Sequence, residues 1–360
     1  MTDRVVLTRA TPGVQGSVPA PRALPAPVSQ AGRRHGGGRR RTWLLVGLVL
    51  VLALLVLASL SVGAASISLG GLIADGANGR DARVVLVSRI PRTAAAALAG
   101  AALAMAGALM QLLVRNRFVA PSTTGTVQFA TAGILVATIA VPGASVAAKM
   151  GAGAATAMVG SAFFLWLLRR LPTHRPDDVL VPLVGLMLAG VVEAATTFVA
   201  WRRDLMQTMG TWTNGDLSGI VAGRYELLWG VGAVAVITWL AADRLTLAGL
   251  GRDHAVGLGL SYDRTMALGL AIVAVTSAVT VVVVGSLPFL GLVVPNLVSM
   301  LVGDHLRRSL PWVALGGAGL VLACDVVGRL VRQPYEISAG VVMGVVGSLL
   351  FLVILLRRTS

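Results

Sequence analysis

Two carboxylates stand inside long apolar runs of this chain, Glu193 and Asp325. A charge at the centre of a bilayer costs about 2.5–3.5 kcal/mol when it faces lipid. Each of these groups must therefore face protein or a water-filled path. Asp325 has Arg329 four residues on, one helical turn away, which predicts an ion pair within a single helix. Glu193 has no charge three or four residues to either side; it is the better candidate for lining a translocation path, with a hydrogen-bonded structural role as the alternative. A compact basic pair, Arg89 and Arg92 in the segment RIPR, suits bidentate docking of carboxylates on a partner, although a solvated loop would look the same. The largest polar island is DRLTLAGLGRDHAVGLGLSYDR, Asp243 to Arg264, which Gly249, Gly251, Gly257 and Gly259 punctuate. Its helix-capable piece, Arg252 to Leu258, is too short to be stable alone and needs a surface to pack on.

Other chemistry has no foothold in the residues. There is no G-x-x-x-x-G-K-[ST] loop, and Lys149, the sole lysine, does not sit in one, so ATP hydrolysis by that route is excluded. Neither H-E-x-x-H nor a paired-cysteine spacing occurs, and Cys324 is the single cysteine. His35, His174, His254 and His305 fall far apart in predicted aqueous segments, so no metal site is expected. An intramembrane enzyme would need a convergent nucleophile–base or metal pair, and none is visible. An ion-coupled secondary transporter would need a coupling-ion site, for which Glu193 or Asp325 would have to serve.

The elements that position these groups are membrane helices. The chain is 56% hydrophobic and 12% charged, with a mean hydropathy of +0.83, where soluble domains carry about 25% charged residues. Backbone in lipid must satisfy its own hydrogen bonds, so the apolar runs are helices. The net charge of +15 is scattered between those runs rather than gathered on one soluble face, which excludes a nucleic-acid binder. The reading is an all-α polytopic membrane protein of about ten spans. Residues 1–42, rich in Pro, Gly, Ser and Arg, are expected to be a disordered basic cytoplasmic tail. Residues 43–360 are expected to form the transmembrane domain. Its spans fall near 43–63, 93–114, 124–141, 147–168, 179–200, 226–242, 265–285, 288–302, 311–331 and 337–356. A polar connection is expected over 66–92 and an interfacial helix and turn over 201–224. The run at 43–63 is longer than a signal-peptide core, so it is read as a span. Arg33, Arg34, Arg39, Arg40 and Arg41 crowd before it and place the tail inside. Apart from the tail the two sides carry nearly equal basic charge, so the orientation rests on it. Both termini, and the island at 243–264, then face the cytoplasm.

Three segments taken together resemble a known family. They are RIPRTAAAALAGAALAMAGALMQLLVRNRFVAPSTTGT (Arg89 to Thr126), GSLPFLGLVVPNLVSMLVGDHLRRSLP (Gly285 to Pro311) and QPYEISAGVVMGVVGSLLFLVILLRR (Gln333 to Arg358). In order and spacing they are similar to the permease subunits of ATP-binding-cassette importers for iron-siderophore complexes, haem and vitamin B12. The likeness covers nearly everything after about residue 45. It implies a ten-helix permease like that of the vitamin B12 importer, in the bacterial cytoplasmic membrane. It also implies a second permease subunit (itself or a related chain), two cytoplasmic ATPase subunits that use the ATP, and an external substrate-binding protein. No cofactor is implied on this chain. By position in the family, Gly251, Arg252, Asp253, His254, Ala255 and Gly259 would form the ATPase-coupling segment, with Ala255 and Gly259 at its small-residue sites. Likewise Arg89, Arg92 and Arg329 would dock the binding protein. Two departures stand out: Arg117 where many members have proline, and Asn296 where many have histidine. The forms NRFVAPSTTGT, GRYELL, VPNLVS and QPYEIS resemble the branch that handles catecholate-type ferric siderophores more than the vitamin B12 branch, while haem and vitamin B12 remain the alternatives within the family.

Overall fold

The computed structural model describes residues 37–63, 79–170, 180–223, 225–331 and 335–359. The chain divides into two units, Met1–Arg40 and Arg41–Ser360, and the helix bundle belongs to the second. Most of the expected tail, the loop from His174 to Asp178, Arg224 and Arg332 lie outside the described residues.

Each of the ten expected spans coincides with a helix among the described residues. In chain order the helices are α1 (Gly37–Ser61), α2 (Ile90–Val114), α3 (Thr126–Ala140), α4 (Val146–Arg170) and α5 (Leu180–Arg202). Next come the short α6 (Met206–Thr213), then α7 (Leu227–Leu240), α8 (Ala242–Gly249) and α9 (Arg252–Gly257). The last four are α10 (Tyr262–Val284), α11 (Leu290–Val302), α12 (Leu306–Val331) and α13 (Ala339–Thr359). Six helical stretches among them are long and apolar enough to cross a membrane, and the pair α7 and α8, bent by 65°, makes a seventh.

Two expectations need correction. The second span does not begin at Thr93 after a polar connection. Helix starts at Arg80, passes through a π-helical turn at Val85–Arg89 and continues as α2, giving one apolar helix over Ala82–Val114. The π turn has a local cause. Pro91 has no N–H to give to the Val87 carbonyl one turn back, and that carbonyl instead accepts the Ala222 N–H at 2.9 Å. The second concerns residues 37–42, read as the end of the tail, which are helical. Within the stretch expected as an interfacial helix and turn, Met206–Thr213 is helical, and beyond it Leu217 and Ile220 are buried against the bundle.

Helix α2 is the centre. Its run of alanines has the highest intrinsic helix propensity, and its small side chains admit neighbours on several faces. A Cβ on Gly100 would sit 2.5 Å from the Gly317 carbonyl oxygen of α12. One on Gly107 would sit 2.1 Å from the Gly291 carbonyl oxygen of α11. These helices therefore meet backbone to backbone, the small-residue packing that membrane helices use. Pro295 inside α11 cannot donate to Gly291, and the freed carbonyl accepts the Gln111 amide of α2 at 3.3 Å.

Replacing Gly107 with valine forces backbone apart and is expected to destabilise the chain by at least the 1–3 kcal/mol typical of overpacking. Thermal unfolding in detergent checks this. Gly47→Val is the control, because nothing lies within 4 Å of a Cβ there, and its midpoint should match the parent.

Candidate functional site

One end of the bundle carries a charge cluster. Asp325 on α12 is 1% exposed and binds two arginines. Its Oδ1 accepts Arg92 Nη2 at 2.7 Å and Arg92 Nε at 3.1 Å. Its Oδ2 accepts Arg329 Nη2 at 2.5 Å, the expected i,i+4 pair. Arg92 reaches on with Nη1 to Glu336 Oε2, 2.7 Å away. Arg329 and Arg89 also close the end of α1. Arg329 Nη1 donates to the carbonyls of Ser59 and Val62, at 2.8 and 2.6 Å. Arg89 Nη1 donates to those of Leu60 and Ser61, at 2.6 and 2.8 Å. The last carbonyls of any helix lack intrahelical partners, and here two guanidinium groups supply them. Ser59 and Thr93 join the same knot through their hydroxyls, 2.8 Å apart.

This placement corrects the expectation of three exposed docking arginines. Arg89 and Arg329 are buried and engaged with α1. Arg92 sits nearer the surface, beside Glu336, whose neighbour Tyr335 is exposed. Sequence reasoning found the Asp325–Arg329 pair but missed Arg92 as its second partner, because the two lie 233 residues apart.

The opposite end holds the glycine-punctuated island. Gly251 caps α9 with φ 113°, a region open to glycine, and a Cβ there would fall 2.0 Å from Arg115 Nη2. Arg115 ends α2 in the left-handed region, φ 56°, and its Nε donates to the Gly249 carbonyl at 2.9 Å. The loop is thus tied to the central helix. Asp243 pairs with Arg307 of α12, and the Arg307 guanidinium lies over the Trp239 ring, 5.5 Å from its centroid. Within α9 the faces divide sharply. Ala255 is fully buried, whereas Val256 is 56% exposed and Leu258, just beyond the helix, 63% exposed. Leu250 is exposed beside them, as are Arg252, Asp253, His254 and Gly259. Arg252 and Asp263 form a loose pair, 3.5 Å apart and largely exposed. Ala255 therefore faces inward, against its own subunit. The apolar groups offered outward, which sequence reasoning missed, are Leu250, Val256 and Leu258. A six-residue helix is too short to show a hydrophobic period.

The two departures from the family pattern meet each other near this end. Asn296 Nδ2 donates to the Arg117 carbonyl at 2.9 Å and to the Leu292 carbonyl at 2.7 Å. They border a cavity of about 250 Å³ lined also by Gln111, Arg115 and Asp304.

Glu193 lies on α5, exposed, and lines a cavity of about 430 Å³ between α3, α5 and α6. Its Oε2 is 3.5 Å from Gln128 Nε2. Ser286, just past α10, completes the wall. Among the described residues, no group of three or more His, Cys, Asp or Glu side chains is arranged to hold a metal ion.

The profile of the FecCD transport family matches residues 50–357. This chain belongs to the FecCD transport family. The petrobactin import permease YclN of Bacillus subtilis is 42% identical over 281 residues, 78% of this chain and 88% of that one. The petrobactin import permease FatD of Bacillus anthracis is 41% identical over 272 residues, covering 76% and 81%. A solved inward-facing metal-chelate type ABC transporter superposes with a TM-score of 0.76 over 88% of this chain and 99% of that one. At 23% identity that likeness is one of fold. A FecCD chain is a membrane permease subunit, not an enzyme.

Asp325→Ala leaves Arg92 and Arg329 buried without their carboxylate. Breaking a buried pair this way costs about 3–5 kcal/mol. The expected outcome is a large fall in the thermal midpoint in detergent. Because α1 is held by the same arginines, faster proteolysis near residue 62 is expected as well.

Proposed function

We propose that this chain is the permease subunit of an ATP-driven importer of ferric siderophores, with catecholate-type chelates as substrate. The family and the two petrobactin import permeases support the substrate class. The observation that carries the energy-coupling part is the division of α9: Ala255 seats the helix on its own subunit, and Leu250, Val256 and Leu258 stand outward among charged groups. An exposed apolar patch rimmed by charges suits a protein partner, here the ATPase subunit, on the cytoplasmic side together with both termini. The chain binds no cofactor itself; ATP is used by two partner ATPases. A second permease subunit, the same or related, completes the path, with Glu193 on its wall. An external binding protein delivers the chelate, and Arg92 with Glu336 is the part of the outer cluster placed to meet its carboxylates and cations. Closure of the ATPases pushes on residues 251–260 and rocks packed helices as rigid bodies.

The function is tested by radioiron uptake from a ferric catecholate in cells lacking the gene, with and without its restoration. Restored uptake that collapses when ATP is depleted is the expected result; uptake that persists on an ion gradient alone would overturn it. The coupling reading has its own test. Val256→Asp with Leu258→Asp should cut uptake at least tenfold while the permease still folds and accumulates. Ala255→Asp is not a clean test, since it buries an unpaired carboxylate.

A further inference from the structure

The cavity at Glu193 has a marked chemical bias. Among the described residues, Glu193 is the only ionisable side chain on its wall. The Gln128 amide is oriented by that carboxylate, because only its nitrogen can face it at 3.5 Å. Gln128 Oε1 is then left buried with no hydrogen-bond partner. Three wall hydroxyls have given their protons to their own helices: Thr131 to Val127 O at 2.9 Å, Thr196 to Val192 O at 2.6 Å and Thr213 to Met209 O at 3.2 Å. Their lone pairs remain. The wall is thus rich in acceptors and carries one negative charge. Gln128 Oε1 is closed off from the cavity, so the demand on an occupant comes from the Glu193 carboxylate and the threonine lone pairs, which ask for positive charge and N–H or O–H groups. About 430 Å³ is in the range of small-organic-ligand pockets, about 300–1,000 Å³, and far larger than one bare ion needs. Met206 and Met209 add polarizable apolar surface suited to alkyl carbon.

We propose that the cavity between α3, α5 and α6 binds an organic ammonium group, with Glu193 as its counter-ion and the threonine hydroxyls as acceptors. Where that ammonium belongs to the imported chelate, the site selects amine-bearing chelates; this last step rests on the importer reading.

Calorimetric titration of the full chain in lipid nanodiscs with n-butylammonium chloride tests the binding, with sodium and potassium chloride at matched ionic strength as competitors. Saturable heat is expected, weakened at least tenfold in Glu193→Gln. Absence of binding, equal binding by that variant, or equal displacement by sodium or potassium would each overturn the proposal. An uptake arm in cells compares two ferric chelates with the same iron ligands, one with a free amine and one with that amine acetylated. Glu193→Gln should lower uptake of the first at least fivefold and spare the second; equal losses would overturn selection by the amine. If the wild type imports neither chelate, the importer reading fails, and the titration still decides the ammonium site.

Discussion

Helix α2 touches α12 and α11 through its backbone, at Gly100 against Gly317 and at Gly107 against Gly291. Between helices in lipid there is no hydrophobic driving force, since lipid tails are as apolar as the side chains. Association must come from close van der Waals contact and from hydrogen bonds between helices. The missing Cβ atoms supply the first, and by doing so they bring the second within reach. Gln111 meets the carbonyl that Pro295 leaves unpaired only because α11 lies so near. Pro91 sets up the same problem at Val87, and the segment 214–222 answers it with the Ala222 N–H. Prolines in spans are tolerated where a neighbour replaces the lost donor, and Pro91 and Pro295 have that neighbour on or against α2.

The charge cluster acts on the helix that packing holds least. Most of α1 faces away from the protein, with little of its apolar surface buried. What ties its C-terminal end is the set of guanidinium donors from Arg89 and Arg329 on its final carbonyls. Asp325 compensates the charge that this arrangement buries. A buried ion network is weak evidence for net stability but strong evidence for a defined geometry once any member is removed. The cluster therefore fixes α1, α2 and α12 together at its end of the bundle, while the opposite end keeps a bent helix pair and an exposed short helix.

Much of this was legible from residue order. Long apolar runs located the helices because lipid leaves the backbone no alternative. The Asp325–Arg329 pair followed from helical spacing. What stayed hidden depended on distant chain segments. The polar look of Arg80, Asp81, Arg83 and Arg89 suggested a connection, because nothing local shows that Arg89 will find the end of α1. The inward turn of Ala255 was equally hidden, since it depends on what α9 packs against. Gly251 was visible as a glycine, but not its reason, the left-handed turn beside Arg115.

Helix α10 relates the two ends. It touches α9 at its start, and just past its end Ser286 joins the wall of the Glu193 cavity. At 23 residues it is about 35 Å long at 1.5 Å per residue, enough to span the hydrocarbon core. Its end is locked without slack. A Cβ on Gly215 would lie 2.3 Å from the Ser286 carbonyl oxygen, and one on Gly340 would lie 2.3 Å from the Asn214 carbonyl oxygen. Close-packed interiors transmit displacement because they have little room to absorb it. Under the proposed coupling, a rigid-body shift of α10 would displace Ser286, the 214–215 turn and the start of α13 together. Asn214 and Ser286 are both cavity wall. Just past this helix lies part of the cavity wall, so in the proposed coupling the volume beside Glu193 changes when α10 moves relative to α3 and α5.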